Sequence, residues 1–84
     1  MFNSALTEQV REVMASAFAI EASDLPDDVS QENLARWTSL YHMILLVSLE
    51  ESYGIAFSME EMTAMTSLTK IIAVLKQHSV EVGV

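Results

Sequence analysis

The stretch WTSLYHMILLVSLEESYGI, residues 37–55, is the most apolar part of the chain and predicts a central helix over residues 39–53. Thr38 is suited to cap this helix through its hydroxyl, and Gly54 is suited to end it. At about 100° per residue, the apolar side chains form two stripes on nearly opposite faces. One stripe is Leu45, Leu46, Leu49 and Tyr53; the other is Leu40, Met43, Ile44 and Val47. A single core needs only one stripe, so we expect the first to be buried and the second to be left for a partner.

The segment before this helix divides into a first helix and a long loop. Apolar residues recur at helical spacing over residues 4–18, which predicts a helix with Asn3 or Ser4 as its cap. Residues 19–38 lack that period and contain the only proline of the chain, which predicts a loop. Loops of this length in compact domains are usually functional or mobile. The residues expected to fix the loop to the core are Ile20, Leu25 and Trp37.

The segment after the central helix predicts two further helices. Ser58-Met59-Glu60-Glu61 has the pattern of a capping box, which predicts a short third helix over residues 59–65. A fourth helix is predicted over residues 67–77, with Thr66 or Ser67 as its cap, and the tail at 79–84 is expected to fray. The apolar residues expected to face the core from these helices are Met62, Met65, Leu68, Ile71, Ile72 and Leu75.

Together these elements predict an all-α fold. It is a small four-helix bundle with three longer helices, a short third helix and a long first loop. The chain has 84 residues, the length of one domain, and we expect residues 1–84 to form that domain. A chain this short buries only about 60–65% of its unfolded surface, which leaves little room for a deep catalytic pocket.

Charge and composition exclude several classes of partner. The formal net charge is −8, from 12 acidic and 4 basic residues, whereas nucleic acids and anionic membranes attract basic surfaces. An acidic surface instead suits basic protein partners. The chain has no cysteine, and its longest apolar run is far too short to span a membrane. No signal peptide is evident, so we expect a cytoplasmic monomer.

Ser39 is the candidate site residue. It falls in the first turn of the predicted central helix, where a side chain points outward and another molecule can reach its hydroxyl. The helix macrodipole favours an anion at this end by about 0.3–1 kcal/mol. A serine in this position is therefore suited to carrying a phosphodiester.

The pattern around Ser39 resembles the acyl carrier protein family. It is carried by Trp37, by Ser39-Leu40 with His42-Met43, by Leu49-Glu50-Glu51, and by an aromatic residue, glycine and isoleucine at 53–55. The match continues through two more segments, Ser58-Met59-Glu60-Glu61 and Thr66-Ser67-Leu68, and so covers nearly all of the chain. In this family a serine followed by leucine opens the second helix and holds 4′-phosphopantetheine.

The resemblance implies a carrier, not an enzyme. Ser39 would receive 4′-phosphopantetheine from coenzyme A through a separate phosphopantetheinyl transferase, and the thiol of this covalent arm would hold acyl or aminoacyl groups as thioesters. The expected partners are that transferase and acyl-loading and acyl-processing enzymes with basic docking patches. The predicted partner-binding residues are Leu40, Met43, Ile44, Val47, Glu50, Glu51, Met59, Glu60 and Glu61.

Two positions depart from the usual pattern of the family. Thr38 stands where most members have aspartate, and it offers no negative charge to a modifying enzyme or a metal ion. Ile44 stands where the housekeeping carriers of fatty acid synthesis have an acidic residue. Both departures favour a specialised pathway: a polyketide carrier, an aminoacyl or peptidyl carrier, or a lipid-modification system.

Two other functions compete with the carrier. Ser39 and His42 are three residues apart and could face each other on one turn, as in a serine hydrolase. Such an enzyme also needs a third orienting group and an oxyanion hole, which a small helical bundle does not offer. The second competitor is an adaptor that binds a partner helix through Met43, Ile44 and Val47.

The remaining acidic residues admit a plain interpretation. Asp24, Asp27 and Asp28 cluster in the loop, but their spacing matches no calcium loop, and we expect no metal site. Paired glutamates such as Glu50-Glu51 and Glu60-Glu61 are in most proteins solvated surface. The resemblance instead assigns them to docking.

Overall fold

A computed structural model of the chain describes residues 4–80. Within that range the chain forms α1 (Ser4–Phe18), α2 (Ser39–Tyr53), α3 (Met59–Ala64) and α4 (Leu68–Gln77). A short 3-10 helix, Ala22–Asp24, lies in the loop between α1 and α2. The predicted all-α fold of four helices, with a short third helix and a long loop after the first, is confirmed.

The core lies where α1 packs against α2 and α4. Helical spacing brings the apolar side chains of α1 to one face, and burying each large one stabilises the fold by about 1.5–3 kcal/mol. In α4, Ile72 packs against the core as predicted but is only half-buried, and Val74 is buried as well. The fully buried residues of the three long helices include Leu6, Val10, Met14, Phe18, Leu45, Leu49, Ile71 and Leu75.

The helix starts follow the predicted capping chemistry. The Thr38 hydroxyl accepts a hydrogen bond from the backbone N–H of Tyr41 and caps α2. At α3, Ser58 and Glu61 form both halves of a capping box. Ser67 caps α4 by accepting from the N–H of Lys70. The predicted cap at Asn3 lies outside the described residues.

Three helices end in a left-handed turn. Gly54 has φ of 65°, which glycine adopts without strain, and its N–H bonds the Glu50 carbonyl. Ala19 and Ser79 adopt the same conformation with φ of 59° and 64°, at the ends of α1 and α4. At the end of α4, the N–H of Val80 bonds the Leu75 carbonyl at 2.9 Å.

The predicted frayed tail is wrong for its first two residues. Val80 is buried, and the backbone N–H groups of Ser79 and Val80 both donate to carbonyls of the last turn of α4. The left-handed turn at Ser79 directs Val80 back against the core. A hydrophobic contact of this sort commonly accompanies a helix that ends in a left-handed residue. The rest of the predicted tail, residues 81–84, lies outside the described residues.

The long loop is fixed to the bundle from α1 and α4. The Arg11 guanidinium donates to the carbonyls of Leu25 and Pro26, at 2.9 and 2.7 Å. At the other side, the N–H of Leu68 donates to the carbonyl of Val29 at 2.8 Å. Leu25 is buried as predicted. The loop therefore passes over the bundle in one defined path, which sets where α2 begins.

Candidate functional site

Ser39 is the first residue of α2, and its side chain is exposed. Thr38 immediately before it is extended, with φ of −89° and ψ of 178°, and supplies the cap. The first backbone N–H groups of an α-helix have no partner within the helix, so this end carries a partial positive charge. The Ser39 hydroxyl is thus displayed to solvent at an end of α2 that favours an attached anion.

Trp37 fixes the backbone just before Ser39. Its indole is buried, and its ring centroid lies 5.4 Å from that of Phe18. The guanidinium of Arg36 donates to the carbonyl of Phe18 at 3.0 Å. These contacts attach the end of the loop to the end of α1, so the position of Ser39 is determined by packed side chains.

The two apolar stripes of α2 separate as predicted. Leu45, Leu46 and Leu49 are buried, while Tyr53 is half-buried and donates its hydroxyl to Gln9 Oε1 at 2.7 Å. Burial raises the pKa of Tyr53 above its ordinary value. On the opposite stripe, the exposed fractions are 66% for Leu40, 52% for Met43, 38% for Ile44 and 48% for Val47.

An apolar groove runs between α2 and α3. Its volume is about 420 Å³, and it opens to solvent. Its apolar lining consists of Met43, Leu46, Met59 and Met62. Met59 is 78% exposed, and Met43 belongs to the exposed stripe of α2. The groove is therefore continuous with the apolar surface that begins one residue after Ser39.

His42 lines this groove and is not hydrogen-bonded to Ser39. The indole N–H of Trp37 donates to His42 Nδ1 at 2.9 Å. Because an indole nitrogen can only donate, Nδ1 accepts, and the ring proton lies on Nε2. Nε2 in turn donates to the carbonyl of Met62 at 2.9 Å. With both ring nitrogens engaged, this histidine offers no base to the Ser39 hydroxyl, as a hydrolase would require.

The four predicted acidic contact residues fall into two kinds. Glu51 and Glu60 are exposed. Glu50 is half-buried, and its Oε2 accepts the backbone N–H of Phe57 at 2.8 Å. Glu61 is also half-buried and is held by the capping box and by His78. Of the four, only Glu51 and Glu60 are exposed and free of these internal bonds.

The pKa of Glu61 lies below its ordinary value. The main cause is the hydrogen bond from the backbone N–H of Ser58, at 2.9 Å. The second cause is the hydrogen bond with His78 Nε2, at 3.0 Å. Both contacts favour the charged carboxylate, so Glu61 keeps its negative charge at lower pH than an ordinary glutamate.

The loop aspartates do not converge on one point. Asp28 Oδ1 accepts from the N–H and the hydroxyl of Thr69, at 3.2 and 3.0 Å, and so helps to anchor the loop at the start of α4. Within residues 4–80, no three acidic, histidine or cysteine side chains are close enough to hold a metal ion. No helix in the same range is long and apolar enough to cross a membrane.

No protein-family model matches this chain, and a search of curated proteins found no match either. The geometry alone defines the class: an all-α domain with an exposed serine at the start of its central helix, one turn before His42 and Met43, which line an apolar groove. Sequence reasoning missed the internal bonds of Glu50 and the role of Arg11 in the loop. Neither has a short-range sequence signal, because the bonded groups are 7 residues apart for Glu50 and 11–16 residues apart for Arg11.

Proposed function

We propose that this chain is an acyl carrier protein that bears 4′-phosphopantetheine on Ser39. The observation that supports this proposal is the display of the Ser39 hydroxyl at the first turn of α2, next to the exposed apolar stripe and one turn before the residues that line the groove. The resemblance of residues 37–55 to the carrier family supports it independently. The carrier performs no catalysis of its own.

The proposed modification is a phosphoryl transfer catalysed by a separate enzyme. The Ser39 oxygen attacks the phosphorus of coenzyme A that bears the pantetheine arm, and adenosine 3′,5′-bisphosphate leaves. The serine proton passes to a base of the transferase. The new phosphodiester lies at the positive end of the α2 dipole, which favours its charge by about 0.3–1 kcal/mol. The arm ends in the thiol that the cysteine-free chain itself lacks.

The groove between α2 and α3 suits the apolar part of a cargo. Its polar lining comes from the uncharged residues Gln31, Thr63 and Thr66 and from His42, and the rest is methionine and leucine. Methionine side chains adapt to ligands of different shape because they are unbranched. We propose that a short acyl chain on the arm enters this groove. A polyketide, an aminoacyl group and a modified lipid precursor are each compatible with it.

Docking to partner enzymes is proposed for the surface beside Ser39. The exposed stripe of α2 supplies apolar contact area, and Glu51 and Glu60 supply charge for basic patches. Glu50 and Glu61 contribute to the negative field, but their carboxylates already accept internal hydrogen bonds. The proposed partners are a phosphopantetheinyl transferase and acyl-loading and acyl-processing enzymes.

The decisive experiment is intact mass spectrometry after incubation with coenzyme A and a broad-specificity phosphopantetheinyl transferase. We expect one phosphopantetheine adduct, mapped to Ser39 and lost in Ser39→Ala. Ser52→Ala is the matched control, because Ser52 is another exposed serine of α2 and should leave the adduct intact. An unmodified wild-type chain, or an adduct that survives Ser39→Ala, would refute the carrier function.

An adaptor function is the second candidate, and the exposure of Met43, Ile44 and Val47 favours it. Large exposed apolar groups at helical spacing mark helix-binding surfaces as well as enzyme-docking surfaces. An adaptor would bind its partner without any prosthetic group. The same mass measurement separates the two functions, because only a carrier gains the arm.

A further inference from the structure

The short helix α3 is held by few apolar side chains. It has six residues and none of them is fully buried. Met62 is half-buried, and Met65, which is buried, follows the last residue of the helix. A helix this short does not persist on its own, because the free-energy cost of nucleating it exceeds the stabilisation from its few backbone hydrogen bonds. Polar contacts to the neighbouring helices therefore contribute to holding it in place, beside the packing of Met62 and Met65.

Both histidines of the described chain make such contacts. From α2, His42 Nε2 donates to the carbonyl of Met62 at 2.9 Å. From the end of α4, His78 Nε2 bonds both oxygens of Glu61, at 3.0 and 3.1 Å. The ring of Phe57, just before α3, packs edge-on against His78 with centroids 5.7 Å apart. Thus α3 is hydrogen-bonded to one imidazole from α2 and to a second from the end of α4.

The two contacts respond to protonation in opposite directions. A second proton on His42 would sit on Nδ1 and meet the indole N–H of Trp37, so two donors would face each other. To relieve that repulsion the imidazole turns, and the turn shifts Nε2 relative to the carbonyl of Met62. A proton on His78 instead creates an ion pair with the carboxylate of Glu61, which charge strengthens.

We propose that α3 is a pH-responsive wall of the groove, loosened on the α2 side and tightened on the α4 side as the two histidines take up protons. Because α3 carries Met59 and Met62, its movement changes the width of the groove that these residues line. The proposal does not depend on any modification of Ser39. It is a property of the unmodified chain.

The surroundings of each histidine are simple enough for the two responses to be separated. The side chains that share the groove with His42 are uncharged. Around His78, α3 presents the carboxylate of Glu61 and the segment before α3 presents the uncharged ring of Phe57. On α4 the nearest charge in sequence is Lys76, which is exposed.

The test is a nuclear magnetic resonance titration from pH ~8 to ~5.5, the range in which histidine side chains take up a proton. Carbon-13 Cα shifts of Met59–Ala64 report the helix population of α3. In His78→Gln only the His42 response remains, and we expect the α3 helix population to decrease as the pH is lowered. In His42→Phe only the His78 response remains, and we expect the α3 helix population to increase as the pH is lowered. Each response should change the ratio of closed to open α3 by roughly fivefold, as one hydrogen bond does.

Trp37→Phe provides a variant in which His42 stays in place. Without the indole N–H, protonation of His42 meets no opposing donor. In the double variant Trp37→Phe with His78→Gln, we therefore expect the α3 helix population no longer to decrease as the pH is lowered. Glu60→Gln is the matched control, since Glu60 is an exposed acid of the same helix outside both contacts, and it should leave the wild-type titration unchanged. A titration of α3 that persists when both histidines are replaced would overturn the proposal. So would helix populations that stay constant with pH in both single variants.

Discussion

Glu50 Oε2 accepts a hydrogen bond from the backbone N–H of Phe57 at 2.8 Å, which ties the last turn of α2 to the segment that leads into α3. The carboxylate is half-buried, and Phe57 is buried beside it. This acid therefore acts within the fold as well as adding to the surface charge. Its sequence neighbour Glu51 is exposed and offers a comparison within the same helical turn.

We expect Glu50→Ala to lower the free energy of unfolding by about 1–2 kcal/mol, because the N–H of Phe57 loses a charged acceptor in a partly buried site. Glu51→Ala should change it by less than about 0.5 kcal/mol. Both residues stand at the negative end of the α2 dipole, so the general effect of removing an acid there cancels in the comparison. Urea unfolding followed by circular dichroism measures the difference, and equal effects of the two changes would contradict the assignment.

Ala19→Gly should stabilise the protein by about 0.5–1 kcal/mol. Ala19 has φ of 59°, and the left-handed conformation costs an L-residue roughly 1–2 kcal/mol, whereas glycine adopts it freely. The gain is reduced by the greater flexibility of glycine in the unfolded chain. Ala73→Gly is the control: Ala73 is exposed inside α4, where glycine should cost about 1 kcal/mol. Thermal unfolding of the two variants should shift in opposite directions.

Much of the fold is predictable because its signals are local. The cap at Thr38, the stop at Gly54 and the capping box at Ser58 each depend on residues within one helical turn. The separation of the two stripes of α2 follows from the angle between successive side chains. The start of α2 is part of the same set, so the placement of Ser39 at an exposed first turn follows as well.

Contacts made across the fold could not be predicted in this way. Arg11 binds loop carbonyls, including that of Pro26, only because the loop folds back over α1. The partners of His42 are an indole five residues before it and a carbonyl twenty residues after it, and neither distance corresponds to a helical repeat. The burial of Val80 depends on a serine in the left-handed conformation, which sequence patterns assign to glycine.

Glu61→Gln should lower the free energy of unfolding most at pH values above the ordinary pKa of a glutamate. Bonds from the Ser58 N–H and from His78 lower the pKa of Glu61 in the folded state. A carboxylate with a lowered pKa stabilises the fold above its unfolded pKa and loses that contribution as the pH falls through its folded pKa. The stability difference between wild type and Glu61→Gln should therefore shrink from pH ~5 to ~3. Glu60→Gln, outside the capping box, serves as control, and an equal pH dependence in both variants would argue against these bonds.

Salt should raise the melting temperature. The 12 acidic residues outnumber the 4 basic ones, and the guanidinium groups of Arg11 and Arg36 bond backbone carbonyls of the loop and of α1. Like charges repel in the compact state, and raising the ionic strength from ~0.01 to ~0.1 M shortens the screening length from about 30 to 10 Å. Millimolar divalent cations should act in the same direction. A melting temperature that ignores both would mean that the acidic side chains are too dispersed to repel one another.

The exposed and buried stripes of α2 give the sharpest pair of substitutions. Ile44 is 38% exposed and Leu46 is 1% exposed, two residues apart on one helix. We expect Ile44→Asp to cost less than about 1 kcal/mol of stability, because aspartate there can reach water. Leu46→Ala should cost roughly 2–4 kcal/mol through the cavity it leaves. Loading of Ser39 should respond in the reverse order, with the larger effect in Ile44→Asp and the smaller in Leu46→Ala.

Loading of Ser39 by the transferase, measured by intact mass over time at 25 °C, should slow in Ile44→Asp while its circular dichroism and melting remain close to wild type. Leu46→Ala should melt earlier and, at temperatures where it is still folded, accept the arm at nearly the normal rate. The reason is that we place docking on the exposed stripe, whereas Leu46 is buried in the core. If Ile44→Asp unfolds the domain, or loads as fast as wild type, the exposed stripe is not the docking surface that we propose.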